Sequence, residues 1–336
     1  MNEGRGLLRG GILAAAVLAV VVAAVFGWRV MVDSDPSGAA AAPTPPATTS
    51  VGKAAGNSPY PELESEAEPG TDPSPPADPT DDPAHQPVRA LYLGDSIALE
   101  NHTVLADLLK ESGTATLHSA PHSGTTLCDY MEGKTGDSLL VPRHHTAAAL
   151  VRAQRPQVVL LQFWGNSWIY TPCMGKILAP QRAYYERYAA DARALTTEIE
   201  RAAADVGIER PTLVWVLQGP DPMAPDRIRR VNDIYKAQAE STGDRTADAG
   251  AAVSPAGDRY TWVQQLPCNA YERAHPEYCT KGTTTELHHD NDYLHFCLEP
   301  MTKNPKPCTK RSPGVMRYSQ AIAAAVAHHA RGTQQD

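Results

Sequence analysis

Val88-Arg89-Ala90-Leu91-Tyr92-Leu93-Gly94-Asp95-Ser96-Ile97 reads as an apolar strand that runs into a glycine turn and then a helix. The run to Leu93 has the composition of a buried strand, and apolar residues recur with helical spacing over residues 97–109. Gly94 permits the tight turn between them. Further units follow in the same order. Strands are predicted at 114–118, 158–163 and 213–217, with a weak fifth at 246–249. Helices are predicted at 146–153, 183–206, 225–239 and 315–328. Pro225 opens one of them in its first turn, and Ser312-Pro313 caps the last. Strands alternating with helices predict an α/β fold, a parallel sheet of about five strands covered on both faces. In such sheets ligands bind beyond the carboxyl ends of the strands. Ser96, residues 122–124 and Gly165-Asn166 each follow the end of a predicted strand. There is no internal repeat.

The chain ahead of this unit differs sharply in composition. Residues 11–28 are almost wholly apolar and uncharged, about the length a helix needs to cross a bilayer. Arg5 and Arg9 precede them and Trp28 closes them, which predicts a signal anchor with residues 1–10 in the cytoplasm. A cleaved secretory signal is the alternative, with Ala39–Ala42 a possible cut. Both readings export the remainder. Residues 33–87 are rich in Pro, Ala, Ser, Thr, Asp and Glu and have few large apolar side chains. Such a segment buries too little surface to offset the entropy of ordering it, so a disordered linker is expected. It would span on the order of 40 Å. Ten acidic residues against Lys53 alone give the linker −9 of the chain's net −8, leaving +2 before it and −1 from Val88 onward. A near-neutral domain has no general attraction for nucleic acid.

All six cysteines, Cys128, Cys173, Cys268, Cys279, Cys297 and Cys308, follow the apolar segment. An even count in an exported domain predicts disulfides. None has the Cys-x-x-Cys spacing of a zinc or redox site. Placement on loops favours Cys268–Cys279, Cys297–Cys308 and a longer Cys128–Cys173 link, though sequence alone does not fix connectivity. Residues 255–311 lack periodicity and hold four of the six. A loop that long is usually functional or pinned.

Candidate chemistry is spread over four places. Ser96 would stand at a strand-to-helix turn, where first-turn N–H groups can stabilise a developing oxyanion. Gly-Asp-Ser taken alone is more simply a helix cap. Asp292-Tyr293-Leu294-His295 puts a carboxylate three residues before an imidazole, as an activated serine requires. Chance proximity competes with that reading, because His288, His289 and Asp290 lie in the same polar loop. A metal cluster of His288, His289 and Asp292 is a weaker rival, since no spacing is diagnostic. Gly124, in His122-Ser123-Gly124-Thr125-Thr126, and Asn166 could each present a donor, and each alone is ordinary loop chemistry.

In order and together, these four blocks resemble the SGNH (GDSL-type) hydrolase family over residues 88–331. The resemblance implies a flavodoxin-like three-layer α/β/α fold, carboxylic ester hydrolysis and no cofactor or metal. It implies Ser96 as nucleophile, His295 as general base and then acid, and Asp292 as the group that orients His295. The Ser96 N–H, the Gly124 N–H and the Asn166 side chain would form the oxyanion hole. The third block departs from the family's Gly-x-Asn-Asp, reading Trp164-Gly165-Asn166-Ser167. Trp164, Trp168 and Tyr170 flank it and fit either a sugar- or acyl-binding wall or plain packing. A Cys128–Cys173 bond would tie together the two loops that carry oxyanion donors. The expected activity is an extracytoplasmic serine esterase acting on O-acyl or O-acetyl esters of a cell-envelope glycan or lipid. An O-acyltransferase with the same triad, or a non-catalytic envelope-binding domain, are the alternatives.

Overall fold

Strand β1 (Val88–Gly94) turns Val88, Ala90 and Tyr92 to one face of its sheet and Leu91 and Leu93 to the other. This is the two-residue period of a strand buried on both sides. β3 (Val158–Gln162) is buried at every residue and alternates in the same way, Val158 and Leu160 against Val159 and Leu161. With β2 (Ala115–Ser119), β4 (Thr212–Val216) and β5 (Arg245–Ala247) they form one parallel sheet of order β2-β1-β3-β4-β5. The computed structural model describes residues 86–133, 140–166, 172–175, 177–289, 292–299, 308 and 312–332. The expected membrane segment 11–28 and the linker up to residue 85 lie outside them. Among the described residues no helix is long and apolar enough to cross a membrane.

Helices cover both faces, so the fold is the three-layer α/β/α arrangement expected. α1 (Ser96–Glu111) packs on the first face beside the last helix, α7 (Pro313–Gly332). α2 (Ala147–Gln154), α3 (Arg182–Asp205) and α4 (Pro225–Thr242) cover the second. Strand order reverses between β1 and β3, which creates a crevice at their carboxyl ends. Ser96 follows β1 and Asn166 follows β3, so both stand at that crevice.

The stretch between β5 and α7 carries short elements that period reading missed. These are α5 (Ala249–Ala252), α6 (Ala270–Ala274) and an antiparallel ribbon of β6 (Gln265–Pro267) with β7 (Thr284–Glu286). Strands of three residues are too short to display a period. Cys268–Cys279 staples the ribbon. The Arg317 guanidinium of α7 pairs with Glu272 of α6 at 2.6 Å and donates to the Pro267 carbonyl at 2.7 Å. Both side chains of the pair are buried, which makes breaking it costly. The weak fifth strand expected at 246–249 begins one residue earlier, as β5, and residue 249 already opens α5.

Gly94 sets how close β1 and β3 come at the crevice. A Cβ there would lie 2.3 Å from the Gln162 carbonyl oxygen and 2.5 Å from the Ala98 Cβ. Neither neighbour is a flexible side chain, so the backbone would have to move. Gly94→Ala is therefore expected to destabilise the domain by about 1–3 kcal/mol. A urea midpoint equal to that of the parent chain would contradict this account of the crossing.

Candidate active site

Asp95 closes β1 and caps α1. Its Oδ1 accepts from the Ile97 N–H at 3.1 Å. Its Oδ2 accepts from the Trp164 N–H at 2.7 Å and from the Asn166 side-chain amide at 3.2 Å. One fully buried carboxylate thus joins the helix that begins at Ser96 to the loop that follows β3. Burial pushes its carboxyl up to about 6, against the pull of those backbone N–H groups and of the charges on His295 and Arg227. Ser96 is the first residue of α1, with 9% of its surface exposed. N–H groups in a first helical turn lack intrahelical partners, so this end of α1 faces the crevice with donors.

The loop after β2 hangs from the carbonyl of Gly94. The His122 N–H donates to it at 2.9 Å, and the Thr125 hydroxyl, 3.3 Å from it, lies closer to the His122 carbonyl at 2.7 Å and can donate to one at a time. The Tyr130 hydroxyl lies 2.8 Å from both this carbonyl and that of Ala120, and can donate to one at a time. Gly124 sits in this loop with φ of 77°, a left-handed conformation that glycine adopts without strain. The Asn166 amide also donates to the Thr125 carbonyl at 2.9 Å. Both hydrogens of that amide are therefore directed at protein partners. In this resting arrangement Asn166 clamps the Gly124 loop to Asp95.

The turn after β3 is held from behind. Its Gly165 carbonyl accepts from the Tyr184 hydroxyl at 2.6 Å and from Arg227 at 3.0 Å. Arg227 is in turn paired with Asp221 at 2.7 Å, both buried, and its guanidinium stacks 3.7 Å above the Trp164 ring. Trp164 is 6% exposed, so it packs the turn and is not an open wall. Trp168 and Tyr170 lie outside the described residues.

His295 arrives on the loop before α7. Its Nδ1 lies 2.8 Å from Asp292 Oδ2, while Asp292 Oδ1 accepts from the N–H groups of Leu294 and His295 at 3.0 Å each. The turn of Asp292 to His295 is thus closed by one carboxylate, which fixes the ring and makes Nδ1 the protonated nitrogen. His288 Nδ1 donates to the His295 carbonyl at 2.9 Å, steadying the turn from the other side. The opposite ring nitrogen, His295 Nε2, is buried with no hydrogen-bond partner among the described residues. No hydrogen bond joins it to Ser96 Oγ. Catalytic hydrogen bonds are often long before substrate binds. Burial opposes protonation of His295, but the Asp292 hydrogen bond and the charges of Glu100, Asp292 and Asp95 outweigh it and raise the imidazole to about 9. Burial likewise works against the Asp292 carboxylate, and the His295 hydrogen bond and charge hold it down at about 2. Glu100 and Asp95 belong to α1 and its cap, so two of the three charges His295 feels come from the residues that bracket Ser96.

Three disulfides join Cys128 to Cys173, Cys268 to Cys279 and Cys297 to Cys308, the pairs that loop placement favoured. The first ties the turn Leu127–Tyr130, just past the Gly124 loop, to the turn Pro172–Met174 beyond Asn166. Sequence reading gave Asp95 no role beyond a possible helix cap and passed over Glu100 and Arg227. Glu100 did leave a signal, an acidic residue on the apolar stripe of α1. Among the described residues no group of three or more His, Cys, Asp or Glu side chains is arranged to hold a metal ion.

No family model matches the chain. No curated protein matches it either. Among solved structures it is similar to a family 3 carbohydrate esterase of Clostridium thermocellum, at 11% identity and a TM-score of 0.42, over 73% of this chain and 98% of that one. It is similar to a GDSL-like lipase from Bacteroides thetaiotaomicron, at 14% and 0.37, over 73% and 92%. It is also similar to the periplasmic domain of a lipopolysaccharide acetyltransferase of Salmonella ser. Paratyphi A, at 11% and 0.42, over 72% and 84%. Likenesses of this strength carry no functional argument, and the geometry of the site must carry it.

The charges around His295 set a measurable expectation. In an NMR titration of the full chain its ring should lose its proton near pH 9. In Asp292→Asn the midpoint should fall toward ~6.5, the value of an unperturbed imidazole. A midpoint unchanged by the substitution would contradict the Asp292–His295 pairing.

Proposed function

We propose that the chain is a serine hydrolase of carboxylic esters, with Ser96 as nucleophile, His295 as base and Asp292 as its orienting carboxylate. One observation carries the reading. His295 is clamped at Nδ1 by an ionised carboxylate while Nε2 is buried and has no partner among the described residues. A buried polar atom without a partner costs about 1–3 kcal/mol. That cost makes sense where the missing partner can accept from the protonated ring and donate to the neutral one, and the serine hydroxyl is such a group.

The chemistry follows from the arrangement. Ser96 Oγ attacks the ester carbonyl as His295 Nε2 takes its proton. The tetrahedral oxyanion forms at the N-terminus of α1, where the Ser96 and Gly124 N–H groups are its donors. Asn166 contributes by holding the Gly124 loop to Asp95, and it donates to the oxyanion only when one of its two bonds is released. The imidazolium then protonates the leaving alcohol, and the acyl group stays on Ser96. Water repeats the sequence and releases the carboxylic acid. The base must be neutral to start, so kcat/KM should rise with pH as His295 loses its proton.

Location and substrate are inferred more coarsely. Three disulfides are the mark of an oxidising compartment, which supports an extracytoplasmic domain. There the reachable acyl and acetyl esters are those of envelope glycans and lipids, and we take that class as the substrate. Anchoring by residues 11–28 fits the same location.

The full chain should hydrolyse a short-chain nitrophenyl ester, and Ser96→Ala should lower the rate by at least on the order of 10³. Equal rates in the two chains, both folded, would reject the esterase reading in favour of a binding domain. Acyl transfer to an added sugar in preference to water would move the assignment to a transferase.

A further inference from the structure

Glu100 lies on α1, four residues and one helical turn beyond Ser96, and is fully buried. It occupies the apolar stripe that also carries Ile97, Val104 and Leu105. Burying a carboxylate there is expensive unless it is paired and hydrogen-bonded. Its partners are not on its own helix. Oε1 accepts from the Phe296 N–H at 2.8 Å, and Oε2 accepts more weakly from the Cys297 N–H at 3.4 Å. These are the two residues directly after His295. The Glu100 carbonyl accepts from the Cys308 N–H at 3.1 Å, so both halves of the Cys297–Cys308 disulfide are bonded to this one residue.

The titratable groups facing Glu100 are His295 and Asp292 from the loop and Tyr92 from β1. Asp292 repels its charge and His295 attracts it. Tyr92 is buried and keeps its proton far above neutrality. The imidazolium is therefore the only one of these groups able to carry positive charge.

We propose that Glu100 is a positioning residue, which fixes His295 over the nucleophile helix by holding the backbone just beyond it and couples the site to pH through its own charge. The proposal rests on Ser96 and His295 being nucleophile and base. Two bonds to a rigid helix remove the freedom of the loop at the point where it would let the ring swing away from Ser96. Placement errors of this kind lower turnover sharply even when made outside the reacting atoms. Burial pushes the carboxyl up to about 7, opposed first by the charge of His295 and the Phe296 hydrogen bond. Near neutrality Glu100 therefore exchanges its charge for a proton. Below that range it loses both its pull on the imidazolium and part of its grip on the loop. Above it the charge is present and favours the protonated ring.

Glu100→Gln keeps the shape and one acceptor but removes the charge. Glu100→Asp keeps the charge but withdraws it from the loop. In the full chain, Glu100→Gln should move the His295 NMR titration to lower pH by ~1 unit. The rising limb of kcat/KM should shift with it, and KM for a nitrophenyl ester should stay unchanged. Glu100→Asp should move the limb less than Glu100→Gln does and lower kcat about 10-fold or more. The NMR midpoint reads the effect of Glu100 on His295 without any activity, so a chain with no esterase activity still tests this proposal separately. An unchanged midpoint in a folded Glu100→Gln, or unfolding of both variants, would overturn it.

Discussion

The crossing of β1 and β3 at Gly94-Asp95 is the constraint on which the site depends. Because Gly94 has no side chain, its backbone can lie against the Gln162 carbonyl, and the Asp95 N–H donates to that carbonyl at 3.2 Å. The Gly94 carbonyl then faces the other way and suspends the Gly124 loop through His122, Thr125 and Tyr130. The Asp95 carboxylate reaches across the crevice to Trp164 and Asn166. Two adjacent residues therefore locate Ser96, the second loop and the third loop relative to one another. Moving the strands apart by the width of a methyl group would disturb all three. Tyr184 and Arg227 fix the far side of the Gly165 turn, so that wall of the crevice is pinned from the layer of α3 and α4.

His295 comes from outside this framework, and electrostatics holds it as much as packing does. Three carboxylates, Asp95, Glu100 and Asp292, surround one imidazole. Only Asp292 accepts its proton-bearing nitrogen and stays ionised across the working range. Burial raises Asp95 and Glu100 to about 6 and about 7, so each of them titrates close to neutrality. The three side chains do different work. One orients the ring, one assembles the loops around Ser96, and one fastens the segment that follows the ring. An imidazole among so many negative charges holds its proton to about pH 9, so the base proposed here would act on the alkaline side of neutrality.

Much of this was legible in the sequence, for physical reasons that also explain what was not. Strand and helix periods arise from local geometry, so β1, β3, β4 and the long helices could be read from their apolar residues. Ser96 was marked by Gly94 and by the helix that follows. His295 was marked by Asp292 only three residues away, a separation that one turn spans. The β6–β7 ribbon left no signal because its strands are three residues long. Asn166 could be read as a donor but not as a clamp, since its partners Asp95 and Thr125 lie 71 and 41 residues away. Glu100 bonds to Phe296 across 196 residues, and no local pattern encodes such a pairing. Its one trace was a charge on an apolar stripe. Trp164 at the usual glycine position fitted either a binding wall or plain packing, and the sequence did not decide between them. The buried ring is the face on which Arg227 stacks, the packing alternative.

The central claim is that Ser96 is a nucleophile activated by His295 and Asp292. The most direct measurement is covalent labelling by a fluorophosphonate, followed by intact mass and peptide mapping. The account predicts one adduct per chain, located on Ser96, with a labelling rate that rises as His295 is deprotonated and collapses in His295→Ala. A folded chain that takes no label, or that labels equally fast after Ser96→Ala, would contradict it.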